Sequence, residues 1–270
     1  MAIELEIRDG SPHWYLSPDI WTVMDPNDIA ESMPVAGTPC YLKARVRNNG
    51  TSSVTNATVK FYWGNPAIGL NRTTATPIGQ SFVSLAPGGS EEVLCLTPWV
   101  PVFLNGGHEC ILAEAYHVSD PLPATNEFNV SSDRHVAQRN LSVIMALQSA
   151  FHMNFEMHNG QRKEQKFFAE VKQVKIETIL KQFPHLEKQL HGKKEGKLEA
   201  VNFTEALCLD KEARHGKKED TSETILLTGF EKKQMAISGV IHGDYAFITI
   251  SQMSGKIEKG GLGILIINNK

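Results

Sequence analysis

The sequence predicts an all-β protein built as two tandem β-sandwiches, and three features of its 270 residues carry that expectation. Short runs of alternating polar and apolar residues recur at roughly ten-residue intervals through the first half. Gly, Pro, Asn and Ser punctuate those runs as turns. No long helical period lies between them, which sets aside a parallel α/β sheet.

The clearest run is Tyr41 to Arg47, with Leu42, Ala44 and Val46 on one face and Lys43, Arg45 and Arg47 on the other. That alternation is the mark of a half-buried antiparallel strand. The turn that follows carries Asn49-Gly50, residue types that tolerate positive φ. Ala57 to Trp63 repeats the alternation, with Val59, Phe61 and Trp63 sharing a face. Ile78 to Leu85, Glu91 to Leu96, Glu109 to His117 and Arg134 to Ile144 complete the series, with the turn Ala86-Pro87-Gly88-Gly89-Ser90 between the first two of these. About seven such strands make one immunoglobulin-like sandwich of ordinary size, which assigns residues 1–144 to a first domain.

The succession DIW (Asp19 to Trp21), GTPCYLKARVRNNGTSSVTNATVKFYW (Gly37 to Trp63), SLAPGGSEEV (Ser84 to Val93) and NEFN (Asn126 to Asn129) resembles a CARDB-type domain over about residues 19–143. These are immunoglobulin-like modules of bacterial and archaeal proteins, named for a relation to cell adhesion. The resemblance implies a sandwich and a binding or adhesion-related role. The chain departs from the pattern in a long insert from Asn65 to Thr76, in the stretch TPWVPVFLNGG, and in closing its acidic motif on a single Asn. Those departures leave the family's ligand or cation role unassigned in this chain.

Residues 145–270 are expected to form a second immunoglobulin-like sandwich decorated by a helical and charged insertion around residues 176–222. Phe151, Met153, Phe155 and Met157 alternate with His152, Asn154, Glu156 and His158, and a strand follows over Lys166 to Val174. The period then changes. Ile176, Ile179, Leu180, Phe183 and Leu186 share a helical stripe that Pro184 should split. Mixed-sign charge dominates the rest of the insertion, with the most mobile loop expected over Ala213 to Ser222. Strand-type sequence returns in ETILLTGF, QMAISGVI, YAFITISQM and LGILIIN, the last two reading as a closing hairpin. From Val136 to Phe151 there is no Gly or Pro, so the last strand of one half runs almost directly into the next.

A net charge of -3 and a pI near 6.4 argue against a nucleic-acid or anionic-membrane partner. No apolar run is long enough to span a bilayer. The amino terminus lacks a basic segment leading into an apolar one, so the expectation is a cytoplasmic protein, one exported without a classical signal, or a sequence given without a removed leader. Cys40, Cys95, Cys110 and Cys208 have no CxxC spacing. A Cys40–Cys110 bridge would suit two facing sandwich strands. Cys110, however, falls out of phase with inward Ile111, Ala113 and Ala115, which favours buried thiols.

Catalytic signatures fail on inspection. There is no H-E-x-x-H or G-x-S-x-G, and the glycines of GKKEGK lack phosphate-loop spacing. His152, Glu156 and His158 are the best metal-ligand candidates by type, yet residues four apart on a strand are separated by about 13 Å, too far to share one ion. The Asn-x-Ser/Thr sequences at Asn49, Asn56, Asn71, Asn129, Asn140 and Asn202 read as turn-rich β sequence. The aromatic segment Pro12 to Trp21 offers Trp14, Tyr15 and Trp21 as a partner-binding surface, since such residues are enriched in binding hot spots. The alternative is that Trp21, with Trp14, caps the open end of the sandwich core. The expectation is a non-enzymatic binding or assembly module for a protein or glycan, without metal or cofactor; the alternatives are a structural subunit that self-associates through its strand edges into a homo-oligomer or appendage, and, third in order, a metal-assisted enzyme with a site built from loops.

Overall fold

A computed structural model describes residues 2–64, 70–102, 110–205 and 224–269. Cys208 and the expected mobile loop at 213–222 lie outside these. Two compact units meet in sequence between Asn140 and Leu141.

The first unit contains β1 (Leu5–Glu6), β2 (Ile20–Val23), β3 (Tyr41–Asn48), β4 (Val54–Gly64), β5 (Thr76–Leu85), β6 (Ser90–Leu94), β7 (Cys110–Tyr116) and β8 (Val136–Arg139). β3 is the spine of one sheet. β2 and β1 pair with successive stretches of it and β6 with Lys43 to Arg47, all antiparallel. The other sheet has the order β5-β4-β7-β8, also antiparallel. Leu42, Ala44 and Val46 meet Val59, Phe61, Ile111, Ala113 and Ala115 in the core between the sheets, in the phase the alternation predicts. Burying an aliphatic or aromatic side chain of this kind contributes about 1.5–3 kcal/mol, so a one-residue slip of β3 would expose its whole inward set.

A second apolar cluster lies on the opposite face of β4, β7 and β8: Tyr62, Cys110, Leu112 and Val136, covered by Ala75, Phe128 and Val130. Cys110 therefore belongs to this cluster and Cys40 to the inter-sheet core. Neither forms a disulfide, nor does Cys95, and burial pushes the Cys110 thiol well up. Gly50 is needed for a reason other than the one its turn suggests. Its φ is not positive, but a Cβ there would stand 2.2 Å from the Ala2 carbonyl oxygen.

The second unit contains β9 (Leu141–Leu147), β10 (Ala150–His158), β11 (Gln165–Gln173), α1 (Ile176–Leu180), α2 (His185–Leu190), β12 (Lys197–Glu205), β13 (Ile225–Leu227), β14 (Lys232–His242), β15 (Tyr245–Ser254) and β16 (Ile257–Asn269). Its strands pair along the path β12-β14-β10-β9-β16-β15-β11-β13. β9 and β10 touch only at Leu147 and Ala150, across a tight turn with positive φ at Gln148 and Ser149. Phe151, Met153, Phe155 and Met157 of β10 share one core with Ile248 and Ile250 of β15 and Ile264 and Ile266 of β16. The Gln252 side chain ties β15 to β10, accepting from the His158 N–H and donating to its carbonyl.

β15 and β16 form the expected hairpin. β16 also pairs with β9 in parallel, a contact between the two ends of the unit that local sequence does not signal. The helical stripe splits where Pro184 stands, giving two short helices that bury Ile176, Ile179 and Leu186, with Phe183 buried in the turn between them.

Candidate functional site

The outward residues of β3 build a charged groove on the first sheet. Strand pairing sets Glu92 beside Arg45 and Ser90 beside Arg47 on one flank, with Trp21 beside Lys43 on the other. Arg45, Arg47, Ser90, Glu91 and Glu92 line an open groove of about 560 Å³. Two strands, β3 and β6, contribute its lining, and no short motif contains it.

The two arginines differ in freedom. Arg47 is held by Asp19, which is fully enclosed and also takes the Arg8 backbone N–H at 3.1 Å and two guanidinium contacts at 3.0 and 2.9 Å. Burial pushes the Asp19 carboxyl up, but the hydrogen bonds from Arg8 and Arg47 outweigh it and hold the group below the usual carboxylate range. Arg45 pairs instead with Glu92, and both side chains are 40% exposed. An exposed pair of this kind is worth about 0–1 kcal/mol, so Glu92 is readily displaced. Beneath it, the Arg45 guanidinium lies 5.7 Å from the Trp21 ring centroid, a cation–π contact that orients the fork. Lys43, outward by phase, donates to the Asp28 carbonyl and is nearly buried.

A second charged arrangement lies in the outer apolar cluster. Glu114 of β7 is buried and accepts from the Tyr62 hydroxyl at 2.6 Å and from Arg72 Nε at 2.8 Å. Arg72 donates onward to the carbonyls of Thr125 and Glu127, and its guanidinium lies 4.9 Å from the Phe128 ring centroid. Arg72, in the described part of the insert, thus binds the NEFN motif through its backbone rather than its carboxylate. Burial, followed by the hydrogen bond to Glu114, pushes the Tyr62 hydroxyl far up.

The other buried ionisable groups of the first unit are also paired within it. Asp120 accepts from Arg134 at 2.6 Å and from the Leu5 N–H at 2.7 Å. His135 Nδ1 lies 2.6 Å from Asp133, and Arg139 meets Glu31.

The aromatic segment does not form one exposed surface. Tyr15 is 0% exposed and Trp21 7%, while Trp14 packs partly buried against the outer cluster. Of the two residues the core-capping alternative names, Trp21 is buried beneath Arg45 and Trp14 packs against the outer cluster; Tyr15, which that alternative leaves out, is buried as well. A variant truncating Trp14 and Tyr15 would disturb folding before it tested binding. His152, Glu156 and His158 do not converge either. His152 contacts Asn154, whereas Glu156 takes Gln234 at 2.9 Å and Lys232 at 3.2 Å. Among the described residues, no group of three or more His, Cys, Asp or Glu is placed to hold a metal ion.

No family model matches the sequence, and no curated protein matches it. Among solved structures, the chain is similar to the CARDB domain of a Pyrococcus furiosus protein crystallised in complex with di-metal ions. That domain is 16% identical, with 52% of this chain and 86% of that chain covered and a TM-score of 0.29. A solution structure of the same domain is 19% identical, covering 45% of this chain and 91% of that one, with a TM-score of 0.28. Red sea bream transglutaminase is 8% identical over 100% of this chain and 32% of its own, with a TM-score of 0.25. Two of these matches belong to the family that residues 19–143 resemble. The assignment of an all-β sandwich architecture rests on the strand pairing and cores described above. Among the described residues, no helix is long and apolar enough to cross a membrane.

Proposed function

We propose that the chain is a non-enzymatic binding module whose first unit presents the Arg45 groove to a carboxylate-bearing protein or glycan partner. The observation that supports this reading is the Arg45 guanidinium, oriented over Trp21 and, among the described residues, ion-paired with an exposed, displaceable Glu92. An incoming carboxylate would take the place of Glu92 on a fork that is already aligned, and guanidinium–carboxylate recognition is favoured by that bidentate geometry. Arg and Trp are the residue types that dominate binding energy at protein interfaces. Asp19 fixes the neighbouring Arg47, so the second cation of the groove is preorganised.

A photo-reactive residue at Glu91, on the groove wall, should cross-link one partner reproducibly in the cells that make the protein. Arg45→Glu should then reduce capture by at least about tenfold, the effect of losing one interface hot spot, while leaving the unfolding transition in place. Equal capture by wild type and Arg45→Glu would rule the groove out.

A further inference from the structure

We propose that β5 is a self-association edge, at which a second copy of the chain adds its own β5 antiparallel about a two-fold axis passing through Phe82. Among the described residues, β5 pairs only with β4 and ends its sheet. Its ten residues, TPIGQSFVSL, include no charged side chain. Natural edge strands usually carry charge that discourages pairing, as β6 does with Glu91 and Glu92 and β12 with Lys197 and Glu199. β5 is also held in shape. On its inner side Ser81 Oγ donates to the Leu94 carbonyl at 2.6 Å, and a Cβ at Gly79 would meet Cys95 and Thr97 within 3 Å.

The outer side says what fits the edge. Thr58 of β4 is in register with Phe82 on one flank and Tyr116 on the other. The row Tyr116–Thr58–Phe82 therefore crosses three strands and stops at the edge on an aromatic ring that is 60% exposed. Lys60 covers the far end, its ammonium 5.3 Å from the Tyr116 ring centroid. Two-fold pairing at Phe82 sets Phe82 against the second copy's Phe82, Ser81 against Val83, Gln80 against Ser84 and Gly79 against Leu85. No like charges meet along this strand pair, the row continues through the axis, and Pro77, which has no N–H to offer, stays outside the paired stretch. Backbone hydrogen bonds supply the attraction, and the aromatic pair adds to it. One strand edge with one ring per copy buries less than the roughly 800 Å² per partner of a stable interface, so the dimer forms reversibly as concentration rises.

Sedimentation equilibrium on the full chain, from about 1 µM to about 1 mM, covers the affinities such an edge can supply. Wild type should show a monomer–dimer equilibrium within that range. Phe82→Lys and Phe82→Glu should each raise the dissociation constant at least tenfold, because each sets like charges together on the axis. An equimolar mixture of the two should dimerise again, since opposite charges then meet. Gln80→Lys, a change at another exposed outer position, gives an independent variant that should also weaken the dimer. A wild type that stays monomeric throughout overturns the proposal. So does a dimer indifferent to both Phe82 substitutions, or a mixture no stronger than either variant alone. None of these outcomes bears on the Arg45 groove, which lies on the other sheet.

Discussion

Glu114→Ala should destabilise the first unit by about 3–5 kcal/mol, the range observed when one partner of a buried ion pair is removed. The carboxylate is almost fully enclosed and is the charged partner of Arg72, whose side chain is itself mostly buried. Without it the Arg72 cation stays under Phe128 with only carbonyl partners, and the Tyr62 hydroxyl loses its acceptor. Removing both charges should cost much less. In a Glu114→Leu, Arg72→Met double variant no buried charge is left unpaired, and most of the lost stability should return. Urea unfolding, followed on the transition of the first unit, distinguishes the two cases. A single variant within about 1 kcal/mol of wild type would mean that the pair is solvated in solution, as exposed pairs are. The consequence reaches beyond stability, because Arg72 is what pins the 70–75 segment to the chain at Thr125 to Glu127.

That hub shows where sequence reading stops. Alternation located β3 and β4 and the inward set Leu42, Ala44, Val46, Val59 and Phe61, because period two is a local property of the chain. The same phase argument separated Cys110 from Ile111 and Ala113 and so anticipated their different clusters. Pro184 divided the helical stripe for an equally local reason. Glu114 carries a signal that could have been read, since a carboxylate inside the apolar run Ile111 to Ala115 demands a buried partner. Its partner is 42 residues away in an insert that resembles nothing periodic. Trp14, Tyr15 and Trp21 were ambiguous for a different reason. Core caps and binding anchors use the same residue types, and only the tertiary arrangement separates them. The groove was invisible because its residues come from β3 and β6, and their adjacency is a fact of pairing. The parallel contact of β9 with β16 is likewise made between strands more than a hundred residues apart.

Asp19→Asn should destabilise the first unit by about 3 kcal/mol at neutral pH, and the loss should shrink as the solution is acidified. The substitution keeps the side-chain shape but removes the charge that Arg8 and Arg47 share. Because the folded carboxyl is held below its ordinary range, the native state binds its proton less readily than the unfolded chain. Its stabilisation is therefore fully present above the unfolded value, near 3.9, and disappears as the pH falls through the lower folded value. Wild type and variant should thus differ fully at pH 7 and pH 5 and draw together below about pH 4. Unfolding midpoints in urea across that range provide the check, and a gap that widens in acid would contradict the assignment. The same substitution should weaken partner capture at neutral pH even where the protein is fully folded. Arg47 would lose the anchor that aims it along the groove, leaving Arg45 as the one oriented guanidinium there. Binding and stability should consequently fall together in Asp19→Asn, whereas Arg45→Glu should lower binding alone, because the Glu92 partner it displaces contributes little to the fold.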